Sequence, residues 1–127
     1  MRKLKLPGRD QTFRRLSEQD IRLIEKVGIP EIQNQARKII EKKLMVQPEN
    51  DGRQTPKAGH PVYKAMHACN VQSRKSLSLS HKIPAGKELE ETYIESTTNL
   101  VMRWIVREYN FYQKEREDRQ RNLSEFN

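Results

Sequence analysis

The stretch from Asn50 to His81, NDGRQTPKAGHPVYKAMHACNVQSRKSLSLSH, is the part of this chain around which the rest is organised. It contains every histidine of the chain and its only cysteine. Between residues 52 and 87 there are seven basic residues and no acidic one. The flanking segments have the periodicity of amphipathic helices, so we expect them to form a scaffold that displays this stretch.

The segment before this stretch predicts two consecutive helices. Ser17 and Asp20 resemble a capping box, in which each side chain bonds the other residue's backbone at a helix start. Gly28 can end the first helix, and Pro30 suits the first turn of the second. Apolar residues recur at the three- and four-residue spacing of helices buried on one face: Ile21, Ile24, Val27, Ile29, Ile32, Ala36, Ile39, Ile40 and Leu44.

After the loop chemistry of residues 49–59, the pattern predicts a short helix from Pro61 and a long one from about Glu88 to about Lys114. Between them, Leu77 and Leu79 alternate with serines as in a short strand, a pattern too brief to assign. We therefore predict an all-α fold, a small single domain of three or four helices with a long C-terminal helix and a loop-rich central segment. Its expected parts are a flexible basic arm (1–16), a helical domain (17–114) and a charged solvated tail (115–127).

The composition limits the kinds of partner that the protein could bind and the cellular compartment in which it is expected. The 127 residues carry a net charge of +8, which predicts a positive field over much of the surface. That charge fits either plain solubility or a polyanionic partner. A single cysteine excludes an internal disulfide, and no apolar run is long enough for a secretory signal or a membrane span. We expect a cytoplasmic protein without a membrane partner.

The central stretch resembles a family. The pattern NDG-x-QTP-x-x-GHPV-[aromatic]-x-A-x-HA, followed by an Arg, a Leu and H-x-IP-x-G, is similar to a small family of bacterial and prophage proteins known as domain of unknown function DUF4186. The positions that carry the resemblance are Asn50, Asp51, Gly52, Gln54, Thr55, Pro56, Gly59, His60, Pro61, Val62, Tyr63, Ala65, His67, Ala68, Arg74, Leu77, His81, Ile83, Pro84 and Gly86. The resemblance runs from the Ser17 helix to the Trp104 helix and implies a shared fold but no activity.

One departure from the family pattern bears on metal binding. The family has two adjacent cysteines, a third cysteine and a tryptophan at the places where this chain has Gln72, Ser73, Ser76 and Ser80. In the family, that cysteine-rich run beside histidines suggests a zinc or thiol site. Here those thiolates are absent.

A metal site would have to be built from His60, His67, Cys69 and His81. On one helix, however, His67 and Cys69 point about 200° apart, so they cannot both face one ion. Cys69 also fits the buried apolar stripe of its helix, where a free cysteine is ordinary. We therefore predict neither a metal nor another cofactor.

The histidines allow a catalytic interpretation and a structural one. His60 and His67 lie seven residues apart on one predicted helix face, near Lys64 and Arg74. They could act as acid and base of a metal-independent phosphodiesterase or related phosphate-directed enzyme. Alternatively, His60 caps the helix begun at Pro61, while His67 and His81 satisfy buried backbone groups. The structural interpretation is favoured, because no phosphate loop or nucleophile motif accompanies the histidines.

Polyanion binding is therefore the favoured function. We predict a small basic protein of phage or prophage type that contacts the phosphate backbone of nucleic acid rather than its bases. The same positive face would also suit a nucleic-acid-handling or acidic nucleic-acid-mimicking protein, and the sequence leaves this choice and the oligomeric state open. The expected contact residues are Arg53, Lys57, Lys64, Arg74, Lys75 and Lys82.

Overall fold

The computed structural model describes residues 3–9 and 14–125. Within these ranges it contains five helices and no strand, which confirms the all-α prediction. In chain order they are α1 (Glu18–Val27), α2 (Ile29–Leu44), α3 (Pro61–Ala68), α4 (Arg74–His81) and α5 (Glu91–Glu125). None of these helices is long and apolar enough to cross a membrane.

The α1–α2 corner forms by the local rules that the sequence indicated. The capping box is present, since the backbone N–H of Asp20 donates to Ser17 Oγ at 3.2 Å and that of Ser17 donates to Asp20 Oδ2 at 2.9 Å. Gly28 alone separates the two helices and has a φ of +87°, a conformation that L side chains rarely adopt. A single residue in this conformation lets the chain turn between α1 and α2, which contact each other.

The core lies between α5 and the two helices packed on it, α2 and α3. Trp104 and Ile105 of α5 are fully buried, as are Ile32 of α2 and Met66 of α3. Burying side chains of this size stabilises a fold by about 1.5–3 kcal/mol each. The long final helix is therefore the element on which α2 and α3 pack.

The unassigned serine-rich segment forms α4, the helix that takes the count beyond the predicted three or four. Ser73 caps it by accepting the N–H of Ser76 at 3.0 Å. Leu77 is fully buried while Leu79 is 75% exposed, because residues two apart on a helix lie about 200° apart. The alternation with serine is thus a helical feature here and not a strand signal.

The described residues near the two ends are arranged differently from the expected arm and tail. Helix α5 begins at Glu91 and continues to Glu125, well past the expected end near Lys114, so the described part of the charged tail is helical. Residues 3–9 lie along α5, with Leu4 only 4% exposed, instead of extending from the domain as an arm. Residues 10–13 of the expected arm lie outside the described residues.

Several α5 side chains hold the N-terminal segment. Arg103 donates to the carbonyl of Leu4, and Arg107 donates to that of Pro7 at 2.6 Å. Arg9 makes a bidentate pair with Glu108, at 2.9 Å for both Nε–Oε2 and Nη2–Oε1. These contacts join residues about a hundred positions apart, so residue spacing along the chain gives no sign of them.

Candidate functional site

The turn at Asn50–Gly52 places a carboxylate on the start of α4. Asp51 Oδ1 accepts the backbone N–H of Arg74, and Oδ2 accepts that of Lys75, each at 3.0 Å. Gln54 Nε2 also donates to Asp51 Oδ1 at 2.7 Å, and Gly52 N–H donates to Gln54 Oε1 at 2.6 Å. Because the first N–H groups of a helix lack internal partners and carry its positive dipole end, an anion there is stabilising. The NDG-x-Q part of the motif is therefore a helix-capping loop.

Arg74 is an internal residue and not a surface cation, contrary to its predicted place on the binding face. It is fully buried, and its guanidinium donates to the carbonyls of Leu44 at 3.1 Å, Met45 at 3.0 Å and Pro84 at 2.8 Å. The end of α2 leaves carbonyls without helical donors, and Arg74 satisfies two of them. Burial lowers the pKa of Arg74, against the opposite effect of Asp51. Arg74 cannot reach an external phosphate from this position.

Lys64 is also engaged within the fold. Its Nζ lies 2.9 Å from Asp20 Oδ2 and donates to the carbonyl of Arg15 at 3.1 Å. The side chain is only 16% exposed. Lys64 therefore ties α3 to the start of α1, and of the six predicted contact residues it and Arg74 do not lie free on the surface.

The three histidines hold backbone and side-chain groups in separate places, as the structural interpretation predicted. His60 caps α3, since its Nδ1 accepts the N–H of Val62 at 3.0 Å. Its other ring nitrogen, Nε2, consequently carries the proton and donates to Gln35 Oε1 at 2.8 Å. His67 Nε2 donates to the carbonyl of Thr55 at 2.9 Å, and His81 Nε2 donates to that of Cys69 at 2.8 Å.

The surroundings of these rings do not resemble an acid–base pair facing a substrate. Burial lowers the pKa of His60, against an opposite effect of Asp20. A cavity of about 810 Å³ beside α5 is lined by no histidine. The geometry thus gives each ring a structural partner and brings none of them to that cavity.

Metal-ligating side chains do not gather in the described ranges, where no group of three or more His, Cys, Asp or Glu residues could hold an ion. Cys69 is buried in the core cluster. Burial raises the pKa of its thiol to about 12, against the effect of the positive charges of Arg107 and Arg103. A thiol in this environment stays protonated at neutral pH and is a poor ligand and nucleophile.

The remaining four predicted contact residues are exposed around α4, and we call them the α4 cation cluster: Arg53, Lys57, Lys75 and Lys82. Within the described residues, no carboxylate pairs with any of them. The Asp51 cap brings the loop that carries Arg53 to the start of α4.

The other members lie around the same helix. Thr55 Oγ1 donates to the carbonyl of Gln72, which places the loop that continues to Lys57 just before α4. Lys75 and Lys82 lie near the start and at the end of the helix. The cluster thus lies at the start and the end of one short helix, whose start is capped by the carboxylate of Asp51.

One feature of the surface was missed by sequence reasoning. The 810 Å³ cavity lies between residues 3–6, the start of α2 and one face of α5. Arg103 and Arg107, spaced one helical turn apart, contribute to its wall. Their spacing was a visible sign of a basic stripe on α5, but the segment that faces them comes from the other end of the chain.

The fold and this site define a class of protein: an all-α domain whose most distinctive sequence motif holds its own loops and helix ends. The chain belongs to the family described as Domain of unknown function (DUF4186), whose model matches residues 2–106. The match includes the N-terminal segment, so it is wider than the expected range from the Ser17 helix to the Trp104 helix. No solved structure matches the chain.

Proposed function

We propose that this protein binds the phosphate backbone of nucleic acid through the α4 cation cluster. The observation that carries the proposal is the exposure of its four cations around one helix, with no carboxylate partner among the described residues. Asp51, the acid nearest to this surface in sequence, is engaged by the N–H groups of Arg74 and Lys75. The surface therefore keeps a net positive charge, which favours a polyanion.

The dimensions of the cluster suit a nucleic-acid strand. Lys75 and Lys82 are separated by about 10 Å along the helix axis, given a rise of about 1.5 Å per residue. Duplex DNA presents one phosphate per about 3.4 Å of axis on each strand, so this separation spans about three phosphates. Contacts of this kind fix a protein on the backbone and carry no base specificity.

Stacking of bases on aromatic side chains contributes little to the proposed mode of nucleic-acid binding. Tyr63, the aromatic residue closest in sequence to the cluster, is half-buried beside His60, with ring centroids 5.7 Å apart. The binding that we propose is therefore electrostatic and strongly dependent on salt. The cytoplasm is its proposed location, where nucleic acid is accessible and a free Cys69 stays reduced.

Fluorescence anisotropy with labelled duplex DNA, single-stranded DNA and RNA at several salt concentrations tests the proposal. If all four cations contact phosphates, the logarithm of the association constant for duplex DNA falls against the logarithm of salt with a slope of about −3.6. The test variant replaces the four cluster residues with glutamine. The matched control replaces four exposed cations elsewhere and changes the net charge equally: Lys26, Lys38, Lys114 and Arg119.

We expect the cluster variant to lose most of its affinity and its salt slope, and the control to keep most of both. Equal losses in the two variants would show that only net charge matters, which would contradict a defined surface. Absence of binding to any of the three nucleic acids at low salt would also refute the proposal and would leave a protein as the partner of this surface. The two-histidine phosphodiesterase is not proposed, because no observation of the structure favours it.

A further inference from the structure

We infer that the cavity along α5 is a binding site for an amphipathic organic anion, a molecule with an apolar chain and one carboxylate or similar acidic group. We call this cavity the α5 groove. It lies between residues 3–6, the start of α2 and the α5 face that runs from Ser96 to Asn110. Its volume of about 810 Å³ is within the range of about 300–1,000 Å³ that is typical of small-molecule sites.

The shape of the groove follows from the helix that forms its floor. Ser96 and Asn110 are fourteen residues apart, which is about 21 Å along an α-helix. An extended chain of about ten or more carbons fits a groove of this length. The N-terminal segment forms one wall because Arg103 and Arg107 hold the carbonyls of Leu4 and Pro7.

The walls supply apolar contact along this length. Apolar side chains come from all three parts of the chain that meet here: Leu4, Leu6, Ile29, Met102 and Val106. Leu4 and Met102 are buried beneath the surface, while Leu6, Ile29 and Val106 remain partly accessible. An apolar chain lying on them would remove this accessible area from water, which favours binding.

The charge of the lining specifies an anion. Lys3, Arg103 and Arg107 line the groove, and no acidic residue of the described chain does. The carbonyls of Leu4 and Pro7 that Arg103 and Arg107 bond are neutral, so these bonds do not cancel the positive charge. Glu108 lies 3.1 Å from Arg107 but is shared with Arg9, which leaves this group of three side chains with a net positive charge.

Two guanidinium nitrogens at the groove lack partners. Arg103 Nε and Arg107 Nη2 are buried and make no hydrogen bond within the described structure. Buried positive donors without an acceptor are costly. A carboxylate held in the groove would add a negative charge beside these side chains, whose positive charge Glu108 balances only in part.

The same features disfavour other occupants. A second copy of this chain docked by the same face would bring two sets of these cations together, which is repulsive. A cationic ligand would meet the same repulsion. The largely apolar lining provides few groups for a nucleic-acid strand, and the α4 cation cluster lies on a different element.

Decanoate, decan-1-ol and decyltrimethylammonium form a set of probes that share the apolar chain and differ in charge. Each is titrated into the full chain below its self-association concentration, with binding followed by isothermal titration calorimetry and by backbone amide shifts. We expect decanoate to bind most tightly and to shift amides of residues 3–6 and 96–110. The alcohol should bind more weakly and the cation least.

A variant pair locates the site. Asn99→Glu places a negative charge in the groove at an exposed position, and Asn122→Glu makes the same change at an exposed position of α5 outside it. We expect Asn99→Glu to lower the affinity for decanoate by about tenfold or more, because the two negative charges repel each other at short range. Asn122→Glu should leave the affinity near its original value. Equal affinities for the three probes, or equal effects of the two variants, would overturn the inference.

Discussion

The carboxylate of Asp51 caps the backbone of Arg74, 23 residues further along the chain, through a 3.0 Å hydrogen bond to Oδ1. The Arg74 side chain in turn donates to the carbonyl of Leu44, thirty residues earlier, at 3.1 Å. The start of α4 is therefore fastened at its backbone to the preceding loop and at its first side chain to the end of α2. A helix held in this way presents the α4 cation cluster at a fixed place on the domain.

The conspicuous motif of the central stretch has a structural explanation. Thr55 donates to the carbonyl of Gln72, and its own carbonyl receives the ring N–H of His67. His81 bonds the carbonyl of Cys69 at the end of α3. The motif residues thus organise a region with little regular structure, whose loop backbone groups would otherwise lack partners.

Replacement of Arg74 by methionine should lower the free energy of unfolding by about 3–5 kcal/mol. The substitution removes the donors of three backbone carbonyls while keeping a long unbranched side chain in the space. Urea unfolding followed by circular dichroism measures the change. Lys75→Gln, at the exposed neighbouring position, is the control and should stay within about 0.5 kcal/mol of the original protein. Similar midpoints for Arg74→Met and the original chain would contradict the assigned role.

Asp51→Asn should destabilise the chain by about 1 kcal/mol. Asparagine offers one acceptor oxygen in place of two and removes the negative charge from the start of α4. Glu49→Gln makes the same charge change at a neighbouring exposed residue without a hydrogen-bond partner in the described structure, and should have little effect. Thermal unfolding of both variants distinguishes loss of the cap from loss of charge alone, and equal shifts in Tm would argue against the cap.

His60 should make the stability of the protein depend on pH. Burial lowers its pKa below the ordinary value of 6.5, so the unfolded chain takes up a proton more readily than the folded one. The contribution of neutral His60 to the free energy of unfolding is therefore fully present above pH 6.5. It is lost as the pH falls from 6.5 through the lowered pKa of the folded state. His60→Asn keeps a helix-capping side chain without a titratable ring. The difference in Tm between the original and the variant should change in favour of the variant from pH 8 to pH 5, and a constant difference would refute the assignment.

Cys69 should be inert in the folded protein. Its buried thiol has a pKa raised to about 12, so neither access nor thiolate formation favours reaction at pH 8. With 5,5′-dithiobis(2-nitrobenzoic acid), we expect slow release of the coloured thiolate from the native chain and rapid release of one equivalent in urea. Fast reaction in native buffer would show that this part of the core opens readily.

Lys82→Gly should raise stability by up to about 1 kcal/mol. Lys82 ends α4 with φ +58° and ψ +34°, a left-handed conformation that costs a residue with a side chain about 1–2 kcal/mol. Glycine avoids this cost, but its greater conformational freedom in the unfolded chain offsets part of the gain in stability. The same change at Lys75, inside α4, should instead destabilise by about 0.5–1 kcal/mol. Urea midpoints measure both. Loss of stability in both variants would mean that the Lys82 side chain makes a contribution beyond its backbone conformation.

Features that depend on neighbouring residues could be predicted in detail. The Ser17–Asp20 capping box, the Gly28 corner and the His60 cap each involve groups within a few positions of one another, and their residue types have few other uses at those spacings. The all-α class followed from apolar periodicity for the same reason. The serine-rich α4 could not be assigned, because its periodicity is short and it is held in part by Asp51 from outside.

The site was less predictable, because the sequence shows which residues are charged but not whether their side chains face solvent or the interior. Arg74 and Lys75 are adjacent cations, yet Arg74 is fully buried and Lys75 is exposed. Lys64 was equally basic in the sequence but pairs with Asp20 of another helix. The α5 groove was invisible at this level, because its walls come from opposite ends of the chain.

The sequence alone therefore determined the helical class, the helix caps near residues 17, 28 and 60, and the positive charge of the molecule. These depend on local hydrogen bonds and on composition, which are set before any distant residues meet. Only the tertiary structure decided which cations face solvent, which hold carbonyls, and where the N-terminal segment lies. Those outcomes depend on groups that lie tens of residues apart in the chain. The Arg74 guanidinium and the carbonyls at the end of α2, for example, bond each other only once the helices have packed and excluded water from both.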